Sequence, residues 1–142
     1  MSNTVDVLET SLQKTYQILG EIEEDLSWQG RRHQSYQALR EVLHTLRDRL
    51  PVDVSTHFAA QLTLVLKGVY YDGWRPSNVP IKMDRQEFID HVAKKLMLDT
   101  EDGYEKIIKT VIGRVFSSID PQEMQKIIDA LPGELARLIY PY

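Results

Sequence analysis

The stretch YQALREVLHTLRDRLP, residues 36–51, decides the fold. Its apolar side chains recur every three or four residues, the spacing that places them on one face of an α-helix. The members of this stripe are Tyr36, Leu39, Leu43, Leu46 and Leu50. Pro51 predicts the end of the helix, because proline lacks the backbone N–H that the next turn would need. The same spacing continues in both directions and no segment alternates convincingly as a strand would, so the sequence predicts an all-α protein.

Six or seven helices are expected, packed into one compact bundle. The first carries apolar residues at helical spacing from Val5 to Leu26. The third runs without a break from Asp53 to Tyr70, and Gly73 follows it as a C′ residue in the left-handed conformation. Capping residues, or a proline in the first turn, indicate where helices begin. The residues expected to begin helices are Thr4, Asp53, Asp84, Asp120 and Pro132.

The two halves of the chain are similar to each other. A shift of 69 residues, or of 70 upstream, brings the apolar positions of three consecutive helices onto those of the next three. In this register Leu39 falls on Ile108. We therefore predict one domain, residues 1–142, built from two related three-helix halves, residues 14–73 and 84–140, that share one core about a pseudo-two-fold axis. The alternative is an accident of amphipathic periodicity.

Composition excludes several classes of protein. The chain has 142 residues, a formal net charge of −4 and no cysteine, which removes disulfides, thiolate metal sites and cysteine nucleophiles. A mildly acidic domain lacks the broad basic field of a general nucleic-acid binder. No segment has the roughly 20 apolar residues of a membrane span, and the N-terminus does not read as a signal peptide. We therefore expect a cytoplasmic protein that binds neither nucleic acid nor membrane.

No group of residues in the sequence points to catalysis or to a cofactor. The four histidines fit no zinc pattern. Residues 99–103 lack carboxylates at the positions that a calcium loop requires. No serine is paired with a base, and the seven glycines form no phosphate-binding loop. The sequence therefore predicts no metal and no cofactor, and it favours a protein that is not an enzyme.

The candidate site is the segment that follows the third helix. It contains Tyr70, Tyr71, Asp72, Gly73, Trp74, Arg75 and Pro76. One interpretation is a helix end in which Gly73 caps the helix and Trp74 folds back on Val69 or Tyr70, as in a Schellman motif. The other is a recognition surface, because tyrosine, tryptophan and arginine dominate binding hot spots. The second half keeps Tyr140 but has no counterpart of Asp72, Trp74 and Arg75.

A basic face on the second helix is the other candidate surface. Steps of three and four residues place on it His33, Gln37, Arg40, His44 and Arg47. A binding interpretation gives this face an acidic or phosphate partner. The alternative is an ordinary solvated face of a surface helix.

Residues 38–51 and the string Gly-Val-Tyr-Tyr-Asp-Gly-Trp-Arg-Pro, residues 68–76, resemble a known group of proteins, domain of unknown function family 2267. The resemblance covers roughly residues 14–140, and the string is its most specific part. It implies a compact helical domain with two related halves and no particular activity. Relatives often carry proline at the position of Thr63, matching Pro132 of the second half, which implies a bend there, although Thr63 itself gives no such break.

The function expected from these observations is a cytoplasmic, non-enzymatic interaction or regulatory module with an unknown protein partner. The alternative is a small-molecule-binding protein, or an undetected enzyme, with a pocket between the halves near Tyr71 and Trp74. Asp72, Arg75 and His57 would then supply polar groups among the aromatic rings. The sequence leaves a homo-oligomer open.

Overall fold

The structure, a computed structural model, describes residues 3–98 and 103–140. Within these ranges the chain forms eight α-helices and no strand, which confirms the all-α prediction. In chain order they are α1 (Asp6–Leu26), α2 (Arg32–Arg49), α3 (Val52–Ala59), α4 (Leu64–Tyr71), α5 (Arg85–Leu96), α6 (Tyr104–Phe116), α7 (Pro121–Asp129) and α8 (Gly133–Ile139). Of the rejected calcium loop only Gly103 is described.

The expected number of helices is too low because the third helix is two helices. Thr63 has φ −67° and ψ 163°, an extended conformation that separates α3 from α4. The backbone N–H of Val65, in the first turn of α4, donates a hydrogen bond of 2.7 Å to the hydroxyl of Ser11 on α1. A helix start leaves such N–H groups without partners inside the helix. A side chain 54 residues away therefore stabilises the break.

Two of the expected helix starts are confirmed in detail. Asp84 accepts a hydrogen bond from the backbone N–H of Glu87, whose side chain accepts one from Asp84 in return, a complete capping box. Asp120 accepts from the backbone N–H of Gln122, with Pro121 at the first helical position. Both signals are local in sequence, and for that reason they can be recognised without the fold.

Two other starts are wrong by a residue or two. α1 begins at Asp6 after Val5 rather than after Thr4. α3 begins at Val52, one residue before the expected cap Asp53. The reason at α3 is Pro51, whose φ of −60° already directs the chain into the helix.

The core lies between α2 and α6, which pack against each other at the centre of the molecule. α1 packs on α6 and α5 packs on α2, while α3 contacts α7. The fully buried side chains of the two central helices are Ala38, Leu39, Val42, Leu43, Leu46, Ile107, Ile108, Val111, Ile112 and Val115. One continuous core therefore joins both halves of the chain.

The turn between α1 and α2 buries the largest side chain of this core, Trp28. Ser27 has φ 57°, in the left-handed region, and the N–H of Trp28 donates 2.8 Å to the carbonyl of Glu23. This is the long backbone bond of a Schellman motif. The sequence predicts that motif at Gly73 and Trp74, but here it forms at Ser27 and Trp28.

None of the helices in the described ranges combines the length and the apolarity that crossing a membrane requires.

Candidate functional site

The segment with the most specific sequence pattern forms the end of α4, where it packs on α2 and α3. Tyr70 is fully buried, and its hydroxyl lies 2.5 Å from the hydroxyl of Ser55. Its ring meets Phe58 edge to face, with the centroids 5.2 Å apart. Burial raises the pKa of Tyr70, so the phenol stays neutral. Tyr70 is therefore a core residue and not part of an exposed recognition surface.

The chain leaves α4 through a type II β-turn rather than the expected Schellman motif. Asp72 has φ −58° and ψ 119°, and Gly73 has φ 78°. The N–H of Trp74 donates 3.0 Å to the carbonyl of Tyr71, the bond that closes such a turn. Because Asp72 is already extended, the N–H of Trp74 does not reach back over the last helical turn. The left-handed conformation expected for Gly73 is confirmed.

The contrast between two glycines gives the first prediction. Gly73→Ala should lower the free energy of unfolding by about 1 kcal/mol, because alanine is strained at positive φ. Gly113→Ala should raise it by up to about 1 kcal/mol, because Gly113 lies inside α6 and an added methyl meets nothing within 4 Å. Urea denaturation of both variants measures the difference. Two changes of the same sign would contradict the turn geometry.

Trp74 and Tyr71 form a partly buried pair of rings at this turn. Their centroids are 5.2 Å apart with 32° between the planes, and Tyr71 in turn meets Tyr70 edge to face at 5.6 Å. Trp74 stacks on the ring next to the expected Tyr70. Its indole N–H is buried and has no hydrogen-bond partner. Arg75, the next residue, is exposed.

The basic face of α2 binds the end of α4. Arg47 is buried and its Nη1 donates to the carbonyls of Tyr70 at 3.0 Å and Asp72 at 2.8 Å. His44 Nε2 lies 2.6 Å from the carbonyl of Val69. The last carbonyls of a helix lack partners within it and carry partial negative charge, so donors and cations stabilise them. Part of this face thus holds the fold together and does not await an acidic partner.

Arg40 completes this contact through an exposed ion pair. Its Nη1 donates 2.8 Å to the carboxylate of Asp72. This hydrogen bond and the charge of Arg40 lower the pKa of Asp72, while the Asp72 carboxylate raises the pKa of Arg40. Because the Asp72 side chain remains largely in water, the pair contributes little to stability. It does occupy the one carboxylate of the segment.

His44 makes the stability of this contact depend on pH. Burial lowers the pKa of His44 and the positive charges of Arg47 and Arg40 lower it further, against the hydrogen bond to Val69, which raises it. The imidazole is therefore neutral at pH 7, and its Nε2–H donates to the Val69 carbonyl. The other titratable groups on this face, Glu41 and Tyr36, do not reverse that balance.

The second prediction follows from His44. Lowering the pH from 7.5 to 5.5 should lower the free energy of unfolding, because the unfolded chain binds a proton near pH 6.5 while folded His44 resists it. His44→Gln keeps a donor for the Val69 carbonyl but does not titrate, so its stability should vary less over this range. Urea denaturation at several pH values tests this, with His33→Gln on the same helix as the control. A His44→Gln variant with the wild-type pH dependence would refute it.

His57 does not join the other predicted site residues in one pocket. It is exposed on α3, in a groove of about 400 Å³ that it shares with Asp53, Val54, Lys126, Asp129 and Ala130. Grooves of about 450 and 350 Å³ both border Arg114 and Ser117. A fourth, of about 500 Å³, lies along the first turns of α6. None of these four is lined by Tyr71 or Trp74, so they lend no support to a pocket there.

An exposed apolar stripe on α1 is the surface that sequence reasoning missed. We call it the N-terminal stripe, and its members are Val5, Leu8, Leu12 and Tyr16. The exposed fractions of these side chains lie between 39% and 55%. The sequence analysis treats residues 5–26 as one continuous apolar face, but the core covers its C-terminal part, where Leu19, Ile22 and Leu26 are buried. The 21-residue length of α1, against 12 for α5, is the signal that could have revealed the overhang.

The charges around the N-terminal stripe differ between its ends. Asp6 and Glu9 lie in the first turn of α1, beside Val5. At the other end the guanidinium of Arg32 lies 5.4 Å from the centre of the Tyr16 ring, and Arg31 is exposed next to it. One end of the stripe is therefore acidic and the other basic.

A buried carboxylate fixes Arg32 in this position. Glu23 accepts from Nε of Arg32 at 2.7 Å and from the hydroxyl of Ser35 at 2.5 Å. Burial alone would raise the pKa of Glu23, but the Ser35 and Arg32 hydrogen bonds outweigh it and lower that pKa. The basic end of the N-terminal stripe is thus held by an ionised, fully bonded pair.

A search for metal sites found no cluster of three or more histidine, aspartate or glutamate side chains in the part of the chain that the structure describes.

Comparison with known proteins gives one family. A family model described as an uncharacterized conserved protein, DUF2267, matches residues 15–138. No curated protein matches the chain. The matched span contains α2 to α7 complete, but it leaves out residues 1–14 and with them Val5, Leu8 and Leu12. Most of the N-terminal stripe is therefore additional to the matched domain.

Proposed function

The chain belongs to the DUF2267 family, and we propose that it is a cytoplasmic, non-enzymatic interaction module whose working surface is the N-terminal stripe. The observation that carries the proposal is the exposure of Val5, Leu8, Leu12 and Tyr16 along one helix face. Single exposed apolar residues are ordinary, but a contiguous patch on a folded domain marks a contact site.

The rigidity of α1 supports this proposal. Thr15 is buried and Ser11 bonds to the start of α4, so one side of the helix is attached to the bundle beside the stripe. Further along, Arg114 of α6 donates to Glu21 at 2.8 Å and to Asp25 at 2.7 Å. A surface held in this way loses little conformational freedom on binding, and that favours affinity.

The segment from Tyr70 to Arg75 has a supporting role in this proposal. Tyr70 is in the core, and the carbonyls and carboxylate around Asp72 are occupied by Arg40, His44 and Arg47. What this segment offers to a partner is the partly exposed ring of Trp74 and the side chain of Arg75. That area is smaller than the N-terminal stripe, and for this reason we place the working surface on α1.

We also propose that the domain arose from two related halves, α1–α4 and α5–α8. The pairing of helices supports this, because exchanging the halves turns each main contact into another. The contact of α1 with α6 becomes that of α5 with α2, and the contact of α1 with α4 becomes that of α5 with α8. The contacts of α2 with α6 and of α3 with α7 turn into themselves, as expected at a two-fold axis.

The differences between the proposed halves concentrate at the end of α4. With a shift of 69 residues, Arg40, His44 and Arg47 correspond to Lys109, Gly113 and Phe116. The hydrogen-bonded pair of Ser55 and Tyr70 corresponds to Met124 and Ile139. The first half therefore uses polar contacts where the second uses apolar ones.

A photocrosslinking residue at position 12 tests the proposed function. The control is the same residue at Ile81, because Leu12 and Ile81 are 39% and 42% exposed. Irradiation of cells that carry the full chain should give a discrete protein adduct from position 12 and none from position 81. The absence of any protein adduct at position 12, or equal adducts at both positions, would refute the proposal.

A further inference from the structure

Deepening this function, we propose that the partner of the N-terminal stripe is a second copy of the chain, bound with the two α1 helices antiparallel. The inference rests on the proposed function, since it assigns an occupant to the same surface. It starts from the charges at the two ends of the stripe.

The charge pattern is complementary to itself in the antiparallel orientation. Asp6 and Glu9 flank one end of the stripe, and Arg31 and Arg32 flank the other. When a second α1 lies antiparallel, the acidic end of each copy faces the basic end of the other. A parallel arrangement would instead place like charges together, which is unfavourable.

The shape of the stripe also suits a two-fold contact. An isologous dimer uses one patch twice, so a single apolar face is sufficient. The stripe runs from residue 5 to residue 16, about 18 Å of helix at 1.5 Å per residue. Its midpoint falls between Leu8 and Leu12, so about a two-fold axis there Leu8 of each copy meets Leu12 of the other.

The size of the stripe sets the expected affinity. A standard interface buries roughly 800 Å² on each partner, and three helical turns of one face bury less. The dimer is therefore weak, with a dissociation constant in the micromolar range or above. The position of the stripe, mostly outside residues 15–138, makes dimerisation a property of this chain in addition to the matched family domain.

Sedimentation equilibrium of the purified full chain tests the proposal. The mass should rise with concentration from 16.5 kDa toward twice that value. Leu12→Glu should weaken the association by more than about tenfold, since it buries a carboxylate in an apolar contact. Ile81→Glu, an equally exposed change elsewhere, should leave it unaltered. Circular dichroism verifies that each variant is folded.

A charge exchange tests the orientation. Glu9→Lys alone should weaken the dimer about tenfold at low salt, because two symmetric contacts become repulsive. Adding Arg31→Glu to the same chain should restore most of the association.

Three results would overturn the inference: a chain that stays at 16.5 kDa up to 500 µM (about 500 µM being well above a micromolar constant), a dimer that survives Leu12→Glu, or a charge exchange without recovery. A monomer that binds vesicles of phosphatidylcholine and phosphatidylglycerol through Leu12 would instead assign the stripe to a lipid surface. A monomer that still gives a position-12 adduct with another protein refutes only the second copy. A monomer without any adduct refutes the proposed function as well.

Discussion

Replacing Phe58 with alanine is expected to lower the free energy of unfolding by about 4 kcal/mol. Phe58 is fully buried on α3, and its ring meets Tyr70 of α4 at 5.2 Å and Phe116 of α6 at 5.6 Å. The change removes a ring that connects the first half of the chain to the second, and the rigid neighbours do not collapse into the space. Urea denaturation gives the difference.

The control for this variant is His57→Ala, one residue away on the exposed side of α3. It should change the free energy of unfolding by less than about 0.5 kcal/mol. Phe58→Leu should fall between the two, since it keeps most of the apolar volume. A loss below about 1 kcal/mol for Phe58→Ala would mean that the two halves do not depend on this contact.

Arg47→Ala is expected to cost about 3 kcal/mol, the second largest effect. The guanidinium is 5% exposed, and its removal leaves the carbonyls of Tyr70 and Asp72 at the end of α4 without their donor. A buried acceptor that loses its partner costs more than an ordinary hydrogen bond contributes. Arg47 also donates to Asp48 at 2.9 Å, so a carboxylate loses its partner too.

Two variants make the Arg47 experiment specific. Arg137→Ala removes an exposed arginine near the end of α8 and should have almost no effect on unfolding. Arg47→Lys keeps one donor and should recover part of the loss. If Arg47→Ala unfolds no more easily than Arg137→Ala, the contact between α2 and the end of α4 does not stabilise the fold.

The features that could be predicted from the sequence are those encoded by neighbouring residues. Helical periodicity gave the all-α class, because an apolar face repeats every three or four residues whatever it packs against. The capping box at Asp84 and the start at Asp120 need only residues within one turn. The left-handed Gly73 was predictable for the same reason.

The features that could not be predicted depend on residues far apart in sequence. The break at Thr63 is stabilised by Ser11, and the end of α4 is bound by Arg47 and His44. A periodic pattern states which face is apolar but not which helix covers it. The N-terminal stripe is the clearest case, because Leu12 and Leu19 look alike in the pattern but only Leu19 is buried.

The measurement that tests the central claim most directly is disulfide trapping across the N-terminal stripe. The chain has no cysteine, so Leu8→Cys and Leu12→Cys each carry a single thiol. A mixture of the two purified variants should form covalent dimers several times faster than either variant alone, because the antiparallel contact brings position 8 of one copy to position 12 of the other. Dimers from the mixture that form no faster than those of Ile81→Cys would contradict the account.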